Sequence, residues 1–169
     1  MFRIRDAAAV ELELVRELLR EYAQSLNFSL CFQNFEQELA ELPGEYAPPS
    51  GGLWLAWADG QPIGCVALRR FDDTDAELKR LYVRPIARGR GCGEQLLQHA
   101  LRAAQLRGYA QIRLDTTPTM QAAIALYRRL GFREIPAYGL NPIPGALYLA
   151  KNLSDRENAD SSPTCADFS

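Results

Sequence analysis

At 169 residues, 47% hydrophobic and 24% charged, the chain has the size and composition of one globular domain with a sizeable core, and two domains would be cramped. A net charge of −2 and an isoelectric point near 5.5 exclude the overall basic field that draws in DNA or RNA, so any anion site has to be local. No apolar run has the length of a membrane span or the make-up of a signal peptide, and Cys31, Cys65, Cys92 and Cys165 lack a CxxC pair, which predicts a cytoplasmic protein with free thiols and neither a membrane nor a nucleic-acid partner.

"FRIR" is long enough for a short first strand, and Asp6 is placed to cap a helix in which Val10, Leu14, Leu18 and Tyr22 recur every fourth position, ending near Leu26. "FQNFEQELAEL" predicts a second helix, stopped by the Pro/Gly-rich "PGEYAPPSGG". "LWLAWA" and "IGCVALRRF" flank the turn "DGQP" as a hairpin, and "DDTDA" leads into "ELKRLYV", a third antiparallel strand. A glycine loop, a helix from about Gly91 to Arg107 and the strand "AQIRLDT" then form a β-α-β unit, whose crossover makes the two strands parallel. "TMQAAIALYRRL" is a further helix closed by Gly131, and "FREIP" and "ALYLAKNL", joined by "AYGLNPIPG", are the last strands. The order predicts an α/β (α+β) fold: a mixed, mostly antiparallel sheet of six to seven strands with a central parallel pair and about four helices. It occupies residues 1–153 as one domain, and the polar tail 154–169 is expected to be mobile or to dock outside the core.

The loop "RGRGCG", Arg88 to Gly93, carries the strongest chemical signal. A dinucleotide fingerprint needs a glycine where Leu96 stands, and a P-loop needs a Gly-Lys-Ser/Thr that is missing. What remains is a chain of unobstructed backbone N–H groups at the mouth of a helix, where the dipole favours a phosphate, beside the local positive charge of Arg88 and Arg90. A solvated, glycine-eased strand-to-helix turn would look the same from the loop alone.

The surroundings decide between the two. "RGRGCG" resembles the R/Q-x-x-G-x-G/A motif of the GNAT N-acetyltransferases, with Arg88, Gly91 and Gly93 at the defining positions. "LDTTPTMQAAIALYRRLGF" is similar to that family's next strand and its A-x-x-x-Y-x-x-x-G-F helix, and the resemblance spans roughly residues 2–153. It implies a cleft for acetyl-coenzyme A where the two parallel strands splay. The strand segment Leu81, Tyr82 and Val83 would face the pantetheine arm, and the amides of Arg88, Gly89, Arg90, Gly91, Cys92, Gly93 and Glu94 would hold the pyrophosphate. Thr117, Met120, Ala123 and Tyr127 would complete the contacts. Met120 departs from the family, which usually has Asn at this point; Thr117 or Thr119 is placed to substitute.

Acetyl transfer to an amine needs a deprotonated amine, stabilisation of an oxyanion and a proton for the departing thiolate. The resemblance puts Tyr127 at the general acid's position, although Ala123, Tyr127 and Leu130 also form an ordinary apolar helix stripe. It puts Glu77 where some members carry their catalytic glutamate, with Asp115, at a strand end, as an alternative base. His99, the single histidine, reads as a solvated helix residue and argues against a multi-histidine metal site, so no metal is expected. Cys92 has no histidine partner and reads as a loop filler; Trp54, Trp57 and Tyr22 read as packing residues. A small-molecule amine acceptor is expected, lined by Tyr138, Asn141 and Tyr148 on one side and by Phe35 and Glu45 on the other. The alternatives are an enzyme for protein or peptide amines and a coenzyme A-binding sensor with little turnover; a homodimer is left open.

Overall fold

A computed structural model of the chain describes residues 2–26, 29–30 and 34–153. Cys31, Cys165, the start expected for the second helix and the tail 154–169 lie outside the described residues. The elements in chain order are β1 (Arg3–Asp6), α1 (Leu12–Ser25), α2 (Phe35–Glu41), β2 (Gly52–Ala58), β3 (Gln61–Arg70), β4 (Asp75–Val83), α3 (Cys92–Leu106), β5 (Gln111–Thr116), α4 (Gln121–Arg129), β6 (Arg133–Glu134) and β7 (Leu147–Asn152). The strands form one sheet of order β1-β2-β3-β4-β5-β7-β6, in which only β4 and β5 run parallel.

The sheet is covered on both faces, which explains why β2 and the middle of β3 are almost wholly apolar. Trp54, Ala56, Val66 and Leu68 alternate toward α3, against Leu96, Leu97, Ala100 and Ala104. Leu53, Leu55, Cys65 and Ala67 turn to the other face, against Val15, Leu18 and Leu19 of α1 and Leu39 of α2. The β2-β3 turn is built by Asp59 and Gly60, both at positive φ, as the Asp-Gly signal requires. The next turn is held by Asp72, whose Oδ1 accepts from the Thr74 and Asp75 amides at 2.9 and 2.7 Å.

Two local expectations are corrected. Asp6 does not cap α1: it ends β1 opposite Trp54, and a short 3₁₀ turn at Ala9–Glu11 precedes the helix. Glu11 reaches back to the Ala8 amide at 2.9 Å and pairs with Arg5, doing locally what the shorter Asp6 was expected to do. His99 is half-buried, with its ring edge-on to Trp54 at 5.3 Å, and burial followed by repulsion from Arg102 lowers its pKa. Cys65 and Cys92 are buried free thiols. Among the described residues, no helix is long and apolar enough to cross a membrane, and no three His, Cys, Asp or Glu side chains converge on a metal position.

Candidate active site

The cleft begins where β4 leaves β5. The two strands pair only over Asp75–Glu77 and Gln111–Arg113. Beyond that point β5 continues alongside β7 to Thr116, while β4 continues alongside β3 to Val83. Arg80 makes the separation: its φ of 58° forms a bulge, and the β3-β4 register shifts between Cys65 and Ala67. A non-glycine residue in this conformation is strained, so its side chain has to be held. Glu38 of α2 holds it, accepting from Arg80 Nε and Nη2 at 2.9 and 3.0 Å, and the Tyr46 hydroxyl donates to the same carboxylate.

The opening is a groove of about 540 Å³ between the end of β4, the N-terminus of α3 and α4. Leu81, Tyr82, Val83, Arg88, Gly89, Gly91, Cys92, Gly93, Glu94, Met120 and Ala123 line it, together with Tyr22, Thr119, Leu126 and Arg129. The Arg88 amide turns back to the Pro85 carbonyl and the Gln95 amide to Gly91, which leaves the first-turn amides of α3 as free donors facing the groove mouth. Gly91, at φ 81°, sets the left-handed turn into α3. A Cβ on Gly93 would lie 3.7 Å from Val83 and 3.8 Å from Leu126, both groove residues, so this glycine keeps the groove open. The Arg88 guanidinium folds back to the Val83 carbonyl at 3.0 Å, and Arg90 is exposed outside the lining. Thr117 is buried outside the lining, its hydroxyl 3.2 Å from that of Thr119, which does line the groove. An open groove of free N–H donors at a helix N-terminus suits a pyrophosphate.

The inner end of the groove narrows to a throat of about 50 Å³, walled by Leu78, Leu81, Leu114, Thr116, Met120, Tyr22 and Tyr127. Tyr22 belongs to the wall as well as to the core, so the expectation of packing alone understated it. Tyr127 is buried against Phe132, and its hydroxyl has no hydrogen-bond partner among the described residues. Burial, then the nearby Tyr22 and Asp115, push its phenol well above the usual tyrosine range. Thr116 Oγ1 is buried and unpartnered at the same place.

Past the throat lies a charged cavity of about 250 Å³, and Lys79, Arg80 and Asp115 belong to both. Glu77 is its hub: Oε1 accepts from Arg69 Nε at 2.7 Å, and Oε2 accepts from the Tyr138 hydroxyl at 2.8 Å. Asp115 Oδ2 accepts from Asn141 Nδ2 at 3.0 Å, and its Oδ1 faces Lys79 Nζ at 3.7 Å. Tyr148 clips the loop before β7, donating to the Gly139 carbonyl at 2.8 Å and accepting from the Asn141 amide at 3.2 Å. Tyr138 and Tyr148 therefore line the cavity, while Asn141 fixes one wall through Asp115. Phe35 lies in the core with the Arg80 guanidinium 5.3 Å over its ring, and so supports the bulge from outside the lining. Glu45 is exposed and ion-paired to Arg69 at the rim. Lys79, Arg69, Arg80 and Glu38 were not singled out from the sequence; four charged residues, Asp75, Glu77, Lys79 and Arg80, within one central strand were the available signal.

Residues 12–132 match a family model described as the acetyltransferase (GNAT) family. An uncharacterised N-acetyltransferase of Schizosaccharomyces pombe is 36% identical over 146 residues, covering 85% of this chain and 90% of the relative. The N-acetylaspartate synthetase of Danio rerio is 34% identical over 126 residues, which are 73% of this chain and 45% of that protein. The crystal structure of a GNAT acetyltransferase from Staphylococcus aureus superposes with a TM-score of 0.77 at 21% identity, covering 90% of this chain and 99% of the other. A PaiA N-acetyltransferase from Thermoplasma acidophilum, solved in complex with coenzyme A, superposes with a TM-score of 0.71 at 21% identity over 90% and 99% of the two chains.

Proposed function

Because the chain belongs to the acetyltransferase (GNAT) family, we propose that it moves the acetyl group of acetyl-coenzyme A onto the primary amine of a small molecule, by direct attack with both substrates bound. The observation that carries this is the succession of three neighbouring spaces that share wall residues: an open groove with free backbone donors, a narrow throat holding a neutral phenol, and a charged cavity beyond. Bound in the groove, the coenzyme supplies an activated thioester. The amides of Gly89 to Glu94 would receive its pyrophosphate, and the wall of Leu81, Val83, Met120 and Ala123 its arm. The small volume of the charged cavity and its cover by the segment carrying Tyr138 favour a small acceptor over a folded protein surface. The name N-acetylaspartate synthetase, borne by several relatives, points the same way.

Asp115 is the base in this scheme. It touches both the throat and the cavity, and Oδ1 accepts no hydrogen bond from the described residues. Glu77 has both oxygens engaged, by Arg69 and by Tyr138, and orients the cavity. The amine enters as an ammonium and gives one proton to Asp115 and solvent. Its nitrogen then forms a bond to the acetyl carbon as the carbon–sulfur bond breaks. Tyr127 protonates the departing thiolate, and the second N–H proton, released as the amide forms, restores the Tyr127 phenolate, so the step balances.

The test is thiol release from acetyl-coenzyme A across amino acids, polyamines, aminoglycosides and peptides, with the product identified by mass. Release matched by an N-acetylated small amine supports the scheme. Slow hydrolysis indifferent to every amine would instead favour a coenzyme A sensor.

A further inference from the structure

We propose that the acceptor is an α-amino acid with a free carboxylate, and that Lys79 holds this carboxylate while Asp115 receives the adjacent amine. The inference rests on the acetyl-transfer scheme above and names the substrate class of the same site.

Lys79 projects from the middle of β4 into the space where the throat meets the charged cavity, with 13% of its side chain exposed. Its ammonium stands 3.7 Å from Glu77 Oε1 and 3.7 Å from Asp115 Oδ1. Both separations exceed hydrogen-bond length, and Lys79 donates no side-chain hydrogen bond to the described residues. The neighbouring cations are already committed. Arg69 donates to Glu77 and Glu45, Arg80 to Glu38, and Arg113 to Asp75. Held by two carboxylates at ion-pair distance only, this partly buried ammonium keeps its three donors undirected and open to an acceptor from outside the chain. The carboxylate of a ligand supplies one in charge-assisted form.

The charge balance selects the class of ligand. Three cations, Arg69, Lys79 and Arg80, face three anions, Glu38, Glu77 and Asp115. A polyamine would call for an acidic lining and a polyanion for a basic one, whereas a zwitterion matches opposite charges held apart at zero sum. The spacing narrows the class further. In an α-amino acid the nitrogen and the carboxylate oxygens are roughly 3 Å apart by standard bond lengths. The Asp115–Lys79 pair offers complementary charges at 3.7 Å. An amine seated on Asp115 is then at the throat, with its carboxylate on Lys79 and its side chain directed into the space walled by Phe71, Tyr138 and Tyr148. Lys79 also opposes the carboxylate's tendency to keep the amine protonated.

The experiment compares, for the full chain with acetyl-coenzyme A, a panel of α-amino acids with their α-carboxamides and with the amines lacking the carboxyl group. The enzyme is taken as it stands and as Lys79→Met and Lys79→Arg. The unaltered chain is expected to favour the best amino acid over its amide by on the order of 10²-fold or more in kcat/KM, because the amide leaves Lys79 unpaired. Lys79→Met should bring that ratio close to one by raising the acceptor KM, with the KM for acetyl-coenzyme A unmoved, and Lys79→Arg should restore part of it. A lysine that served only to neutralise Glu77 and Asp115 would leave the ratio unchanged, and that result overturns the assignment. Equal turnover of amides and amino acids by the unaltered chain overturns the substrate class while acetyl transfer stands. No thiol release with any amine, although coenzyme A binds, removes the acetyl-transfer scheme and this inference with it. If Lys79→Met does not fold, the amide comparison and Lys79→Arg decide.

Discussion

The Tyr138 hydroxyl donates a 2.8 Å hydrogen bond to Glu77 Oε2, tying the segment between β6 and β7 to the paired start of β4. Burial, then the Glu77 carboxylate, raise the phenol well above its usual range, so it remains a donor at any pH at which the enzyme can be assayed. Removing it leaves a buried carboxylate oxygen without its partner and frees one wall of the charged cavity. Tyr138→Phe is expected to raise the acceptor KM by roughly 5- to 100-fold, the range for an abandoned buried partner. Coenzyme A affinity, measured by calorimetry, should not move, because the groove does not include this residue.

Gly93 separates the cofactor groove from ordinary helix packing. Its backbone conformation is one any residue adopts, unlike that of Gly91, and the added Cβ meets Val83 and Leu126 only at van der Waals distance. The branches of a valine would stand in the groove itself. Gly93→Val should therefore fold, as judged by circular dichroism and thermal midpoint, yet lose detectable coenzyme A binding. Affinity within about twofold of the unaltered chain would place the cofactor elsewhere.

The bulge at Arg80 gives a stability prediction. Arg80 is 4% exposed in its side chain and Glu38 18%, so removing the carboxylate strands a buried guanidinium in a strained segment. Glu38→Ala is expected to lower stability by about 3–5 kcal/mol, read from denaturant midpoints at unchanged slope. A change below about 1 kcal/mol would mean that the bulge is held by the strand alone.

That pair also shows where the sequence stops being informative. The hairpin is legible because Asp59 and Gly60 take the left-handed turn that Asp-Gly announces, and the parallel pair because a helix must cross between its strands. The groove is legible because "RGRGCG", read together with the motifs that flank it, marks a glycine turn from a strand into a helix N-terminus. The cavity is not. Glu38 and Arg80 are 42 positions apart, Tyr138 and Glu77 61, and nothing local announces either pair. The cap of α1 shows the same limit at short range, since Asp6 had the right chemistry and was claimed by a strand.

The proton-transfer assignments separate by pH. The raised pKa of Tyr127 keeps its phenol protonated up to and beyond pH 10, so losing it removes the same donor everywhere. Tyr127→Phe should lower kcat by about 10²–10⁴-fold, evenly from about pH 6 to 9. Asp115→Asn should be worst at low pH, where the acceptor is an ammonium, and should recover as rising pH deprotonates the amine without help. Glu77→Gln should raise the acceptor KM with no such recovery. A pH-rescued defect in Glu77→Gln, with none in Asp115→Asn, would exchange the two roles.

Direct transfer within a ternary complex needs no nucleophile from the chain, and Cys92, the cysteine among the described residues that line the groove, is a poor one. Burial pushes the Cys92 thiol up to about 11 and the Cys65 thiol up to about 12, which leaves both protonated and unreactive at neutral pH. The most direct measurement is the initial-velocity pattern with acetyl-coenzyme A and the best acceptor varied together, for the unaltered chain and for Cys92→Ala. Intersecting lines, one N-acetylated amine per thiol released and unchanged rates in Cys92→Ala are the predicted result. Parallel lines, or an acetyl group trapped on Cys92 with turnover lost in the variant, would contradict it.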